Sequence, residues 1–69
     1  MNQNLEEQVL EFVQNRHKKG ESTASRHIHI RFDIEIIQAE EILEKLATNG
    51  KISKSYDEEY QENRYSLNQ

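Results

Sequence analysis

The 69-residue sequence contains no cysteine, which excludes disulfide bonds and thiolate metal ligands as supports for so small a chain. That absence fits a reducing, intracellular setting. No stretch approaches the roughly 20 apolar residues that a membrane-spanning helix needs. The first twenty residues contain three glutamates and no apolar run, so they do not resemble a signal peptide. We therefore expect a single cytoplasmic domain over residues 1–69, without membrane contact.

Groups that could carry catalysis or bind a metal are sparse. With only two glycines the chain has no glycine-rich phosphate loop, and its Ser, His and Asp residues show no triad spacing. A domain of this size offers no deep cleft to shift the pKa of its carboxylates. His27 and His29 could chelate a metal if they lay on a strand, but no third ligand is evident. We expect no enzyme activity, no metal and no cofactor.

Periodic apolar residues predict a first helix over residues 4–19. They lie on one stripe of such a helix: Leu5, Val9, Phe12 and Val13. Asn4 can cap its amino end, and Gly20 can take the left-handed conformation after its last turn. A short polar junction follows, in which Ser22 or Thr23 is the expected N-cap of the next element.

Residues 27–36 allow two structures. Every second residue is apolar, which predicts a half-buried strand: Ile28, Ile30, Phe32, Ile34 and Ile36. A helix would instead place Ile28 and Phe32 on one face, with Ile30 partly exposed and a turn at Asp33. A lone strand of this length would have to pair with the short C-terminal segments. We therefore favour the helix and keep the strand as the alternative.

A third helix is predicted from about Ile34 or Glu35 to Asn49, and Gly50 is suited to end it. Four residues form its predicted buried face: Ala39, Ile42, Leu43 and Leu46. The pattern is that of an amphipathic helix with one face in a core.

The C-terminal residues predict a β-hairpin. Two short strands, 51–56 and 64–67, flank a polar loop over residues 57–63. The candidates to close the core are Ile52, Leu67 and either Tyr56 or Tyr65. The predicted fold class is therefore α+β, with three helices followed by a hairpin.

This order of elements resembles the winged helix-turn-helix superfamily. The matching positions are Ile28, Phe32, Ile34, Ala39, Leu43, Leu46, Gly50 and Ile52. More narrowly, Val9-Leu10-Glu11-Phe12, Asn15-Arg16-His17 and Gln38-Ala39 resemble the small stand-alone pilus phase-variation regulators of the FaeA/PapI type. His29 stands where the superfamily usually has a small residue, and Asp33 where glycine is common. The resemblance implies a small bacterial or phage regulator of transcription that binds double-stranded DNA.

The resemblance also implies which residues contact DNA. Helix three would enter the major groove, while the wing hairpin and the start of helix two would contact phosphates. Gln38 could pair with adenine through its amide, and Ile36 or Ile37 could meet a thymine methyl group. The remaining candidates are Glu35, Glu41 and Lys45 on helix three, Thr23, Ser25 and Arg26 at the start of helix two, and Lys51, Lys54 and Arg64 in the wing.

The distribution of charge opposes DNA binding. Residues 33–69 carry nine acidic and four basic side chains, and the net charge of the chain is −4. Four carboxylates on predicted helix three would repel phosphates: Glu35, Glu40, Glu41 and Glu44. This acidic face is an ordinary solvated surface, a DNA surface that acts with a partner, or a protein contact. In the last case a protein or a second copy would bind through Ile36, Ile37 and the wing.

Overall fold

The computed structural model describes residues 4–67, so residues 1–3 and 68–69 of the predicted domain lie outside the described part. Its elements are α1 (Leu5–Lys18), α2 (Ser25–Phe32), α3 (Ile36–Thr48), β1 (Ile52–Asp57) and β2 (Glu62–Leu67). The two strands pair antiparallel, from Ile52 opposite Leu67 to Asp57 opposite Glu62. Three helices followed by a hairpin confirm the predicted α+β class, with the layout of a winged helix.

Helix α1 begins at a capping box. The side chain of Asn4 accepts a 2.8 Å hydrogen bond from the amide of Glu7, whose carboxylate accepts one from the amide of Asn4 at 3.4 Å. Two free amides of the first turn are thereby satisfied. At the other end Gly20 takes a φ of 80°, as predicted for the residue that ends this helix.

Residues 25–32 form a helix, so the strand alternative is wrong. The expected N-cap at Ser22 or Thr23 is also wrong, because the N-cap is Ala24. Thr23 instead forms a single antiparallel bridge with Tyr65, in which each amide donates to the other residue's carbonyl at 2.8 Å. That bridge keeps Thr23 extended, so the helix begins later. Asp33 ends it in the left-handed conformation, with φ 57° and ψ 49°.

Helix α3 begins slightly later than predicted because Glu35 is its extended N-cap, with φ −63° and ψ 149°. Gly50, at φ 78°, follows the helix as predicted. None of the helices within residues 4–67 is long and apolar enough to cross a membrane.

The hairpin turn is tighter than predicted: it spans residues 58–61 in place of 57–63. Asp57 closes it, since its carboxylate accepts hydrogen bonds from the amides of Glu59 and Tyr60 at 2.9 and 3.2 Å. Gln61 completes the turn with a φ of 53°. The strands therefore extend closer to the tip than the polar sequence indicates.

A single apolar cluster joins the three helices to the hairpin. Its buried members are Val9, Val13, Ile28, Ala39, Leu43, Leu46, Ile52 and Tyr65. Tyr65 is the tyrosine that closes the core, and Tyr56 is exposed. The cluster fixes α2 against α3 and places the hairpin beside them, which positions the predicted DNA contacts.

Candidate nucleic-acid interface

The start of α3 presents an exposed surface next to the α2–α3 turn. Ile28 of α2 and Ala39 and Leu43 of α3 are buried between the elements. On the outer side Ile37 is 71% exposed, and Gln38 is also exposed. Residues four apart share a side of a helix, so Ile37 is followed along this surface by Glu41 and Lys45. Glu35 makes no side-chain hydrogen bond to the helix end.

Lys45, the predicted cation of α3, is paired within the chain. Its ammonium lies 2.7 Å from a carboxylate oxygen of Glu6 in α1. The hydrogen bond from Lys45 to Glu6 raises the pKa of Lys45. This ion pair ties the last turn of α3 to the first turn of α1 and offsets the charge that Lys45 would offer to a phosphate.

The predicted phosphate contacts at the start of α2 differ in accessibility. Thr23 is buried, so its side chain is not available on the surface, and its hydroxyl oxygen has no hydrogen-bond partner among residues 4–67. Ser25 is half-buried. Arg26 has a 45% exposed side chain, but its Nε and Nη2 donate to the two carboxylate oxygens of Glu62 at 2.9 and 3.1 Å. Of the three residues, Arg26 is the exposed one.

The wing cations are also engaged, with one exception. The Arg64 side chain is only 15% exposed; its Nε donates to Glu62 at 2.6 Å and its Nη1 to the hydroxyl of Ser22 at 2.9 Å. Lys54 pairs with Glu44 of α3 at 2.5 Å. Lys51 is exposed, and no carboxylate within residues 4–67 lies at ion-pair distance from it.

Four residues form a polar cluster, here called the wing latch, that joins the start of α2 to the hairpin: Arg26, Tyr60, Glu62 and Arg64. The guanidinium carbons of Arg26 and Arg64 lie 5.8 and 5.2 Å from the centre of the Tyr60 ring, within cation–π distance. The pKa of Glu62 is lowered to about 2, chiefly by the hydrogen bond from Arg26 and further by the one from Arg64. The Glu62 carboxylate is therefore ionised throughout the neutral range.

Neither a role for Glu62 nor the contact of Tyr60 with Arg26 was predicted from the sequence. Their partners on α2 are more than thirty positions away, as shown by the 36-residue separation of Arg26 and Glu62. Glu62 and Arg64 stand two apart on one strand and so share a face, which is a local signal for that contact alone. No local signal selects Glu62 as the partner of Arg26.

The two histidines of α2 are not arranged to chelate a metal. Residues two apart on a helix do not face each other. His27 Nδ1 accepts a hydrogen bond from the Ala24 amide at 2.9 Å, and His29 Nδ1 lies 2.5 Å from the carbonyl oxygen of Ile34. In the described part of the chain, no group of three His, Asp or Glu side chains is placed to hold a metal ion.

A groove of about 500 Å³ lies on another part of the molecule, between α1 and the end of α2. Phe12 and Phe32 line it and meet edge to face, with ring centres 5.9 Å apart. Arg16, Lys19 and Arg31 also line it, and the groove includes none of the predicted DNA contacts. Comparisons of the chain with protein-family models, with curated proteins and with solved structures find no match.

Proposed function

We propose that this protein is a member of the winged helix-turn-helix superfamily that binds double-stranded DNA in a sequence-specific way and regulates transcription. The observation that carries the proposal is the exposed amino-terminal part of α3. Burial of Ile28, Ala39 and Leu43 fixes α2 against α3, and Ile37 and Gln38 then project outward. A helix held in this way and followed by a hairpin is the arrangement that reads a major groove in this superfamily.

In the proposed complex, three side chains of α3 contact bases. The amide of Gln38 pairs with adenine, Ile37 packs against a thymine methyl group, and Glu41 accepts a hydrogen bond from the amino group of cytosine. Lys51 supplies a phosphate contact from the base of the wing, where it is exposed. Because four of the five predicted cations are paired within the chain, few phosphates are neutralised at first contact.

The test is a selection of duplexes from a random pool at about 50 mM salt, followed by titration of a selected labelled duplex and a salt series. We expect binding in the micromolar range or tighter and an affinity that falls as salt rises, since each neutralised phosphate contributes about −0.9 to the log–log slope. Lys51→Ala should make that slope shallower by about one such contribution. Lys18→Ala, an exposed cation at the end of α1, is the matched control and should leave it unchanged.

Failure of the selection to enrich any sequence would contradict specific DNA recognition. The same holds for a titration without binding at about 50 mM salt, because phosphate contacts are strongest under that condition.

A second function is favoured by one observation: two apolar side chains at the start of α3 are exposed beside carboxylates. Ile36 is 43% exposed and Ile37 71%, with Glu40 and Glu41 next to them. A protein partner or a second copy could cover these isoleucines. Ile36→Asp and Ile37→Asp should then abolish self-association in sedimentation velocity, or binding to a partner, while circular dichroism stays unchanged. Asn15→Asp, on the exposed side of α1, is the matched control.

A further inference from the structure

The Glu62 carboxylate occupies two hydrogen-bond donors at the end of the Arg26 side chain. Nε and Nη2 of Arg26 each donate to a separate oxygen of Glu62, at 2.9 and 3.1 Å. This two-pronged geometry is the one by which a guanidinium binds a phosphate as well as a carboxylate. Arg26 is also the more exposed of the two arginines in the wing latch. The carboxylate and a phosphate therefore compete for the same donors.

The wing holds Glu62 in that position. Arg64 Nε binds the same carboxylate at 2.6 Å, and Arg64 is itself anchored by the Ser22 hydroxyl at 2.9 Å and lies 3.9 Å from the Asp57 carboxylate. Tyr60 packs against both guanidinium groups. Glu62 is thus positioned by several contacts from the hairpin, whereas Arg26 reaches it from α2. Release of Arg26 requires only that its own contacts with Glu62 and Tyr60 are exchanged.

We propose that Glu62 masks Arg26, and that the ligand of the unmasked guanidinium is a phosphate diester of the DNA backbone. The inference rests on the proposed DNA-binding function. In the free protein the Arg26 donors are satisfied by Glu62, so a phosphate gains little by replacing it and DNA binds weakly. Any change that withdraws Glu62 adds one phosphate contact next to the start of α2.

The first experiment compares Glu62→Gln with Glu59→Gln in titrations of one labelled duplex over a salt series. Both variants remove one negative charge near the hairpin turn, but the Glu59 side chain pairs with no cation among residues 4–67. Glu62→Gln should raise affinity about 5- to 10-fold at 50 mM salt and steepen the salt slope by about 0.9, the contribution of one phosphate. Glu59→Gln should raise affinity less than about 2-fold and leave the slope unchanged, because salt screens a charge that makes no direct contact with a phosphate.

A second variant separates masking from net charge and from folding. Glu62→Asp keeps the charge but is one methylene shorter, so it can stay beside Arg64 while losing its two contacts with Arg26. Like Glu62→Gln, it should raise the affinity for the labelled duplex. Thermal unfolding followed by circular dichroism identifies which variants are folded, and the comparison is made on those.

Removal of Arg26 in two backgrounds completes the test. Arg26→Ala should change the affinity of the wild-type chain less than about 2-fold, and should cancel the gain in the Glu62→Gln background, because only there is the guanidinium free for a phosphate. Equal gains from Glu62→Gln and Glu59→Gln, or a wild-type slope that already falls by about 0.9 on Arg26→Ala, would overturn the masking while leaving DNA binding intact. Absence of binding by the wild-type chain and all Glu62 variants would instead overturn the DNA-binding function.

Discussion

The hydroxyl of Tyr65 in β2 donates a 2.7 Å hydrogen bond to Oε2 of Glu44 in α3. The same oxygen lies 2.5 Å from the ammonium of Lys54 in β1, so one carboxylate joins the third helix to both strands of the hairpin. The pKa of Glu44 is lowered chiefly by the hydrogen bond from Lys54 and further by the one from Tyr65. Burial, and then the bond to Glu44, raise the pKa of the Tyr65 phenol. Glu44 is therefore held by two partners in the hairpin, Tyr65 and Lys54, unlike an ordinary solvated glutamate.

Tyr65→Phe tests that contact. The change keeps the buried ring but removes the hydroxyl. A hydrogen bond to a charged group contributes about 1.5–3 kcal/mol, and solvent screens the half-exposed Glu44, so we expect the free energy of unfolding to fall by about 1–2 kcal/mol. Urea denaturation followed by circular dichroism measures it. Tyr56→Phe, at an exposed tyrosine of β1, is the matched control and should change stability by less than about 0.5 kcal/mol. Equal effects of the two changes would argue against a stabilising Tyr65–Glu44 bond.

Ile28 and Ile30 provide a direct test of the second helix. Ile28 is fully buried in the core, whereas Ile30 is 76% exposed. Ile28→Ala should lower the free energy of unfolding by about 2–5 kcal/mol, because it removes buried methyl groups and leaves a cavity. Ile30→Ala should change it by less than about 0.5 kcal/mol. On a strand the two side chains would share a face, so similar losses from both substitutions would contradict the helix.

The apolar periodicity of α1 and α3 predicts both helices and their buried faces because each pattern repeats within a single element. Residues 27–36 are harder, since Ile28 and Phe32 satisfy a period of two and a helical period alike. Two features decide between them: the left-handed conformation of Asp33 at the end of α2, and packing against Ala39 in α3.

The candidate site is less predictable than the core, because its charged side chains form ion pairs with residues that are distant in the sequence. Arg26 pairs with Glu62 and Lys45 with Glu6, each from a distant part of the chain. Likewise, Thr23 is a residue type that often serves as an N-cap, but its backbone hydrogen bonds with Tyr65 determine its conformation. Sequence identifies cations that could meet a phosphate; tertiary structure decides which of them are already occupied.

His27 should make folding sensitive to mild acid. Its Nδ1 accepts the amide of Ala24, and its pKa is lowered from 6.5, chiefly by burial and further by the nearby Arg16, Arg26 and Arg64, against an opposing effect of Glu62. The unfolded chain therefore takes up a proton at a higher pH than the folded one. The free energy of unfolding should decrease as pH falls through 6.5 and towards the folded pKa, and should regain its full value above that window.

His27→Gln separates the cap from the ionisation. A glutamine at the third helical position can accept a hydrogen bond from the N-cap amide without binding a proton. The free energy of unfolding of this variant should therefore not decrease between about pH 7 and about pH 5.5, two values on either side of the reference histidine pKa. Urea denaturation at the two pH values provides the measurement. His17→Gln on α1 is the control and should retain the decrease. If both variants behave like the wild-type chain, His27 is not the group that titrates.

Gln38→Ala tests base recognition by α3 apart from any effect on the fold. Gln38 is exposed, so we expect the free energy of unfolding to change by less than about 0.5 kcal/mol. Affinity for the selected duplex should fall by roughly 5- to 150-fold, the equivalent of about 1–3 kcal/mol for one paired base contact. Affinity for an unrelated duplex should stay the same, because the phosphate contacts are retained. Gln14→Ala on α1 is the matched control. Equal losses on both duplexes would assign base recognition to a residue other than Gln38, since a lost base contact lowers discrimination and a lost phosphate contact does not.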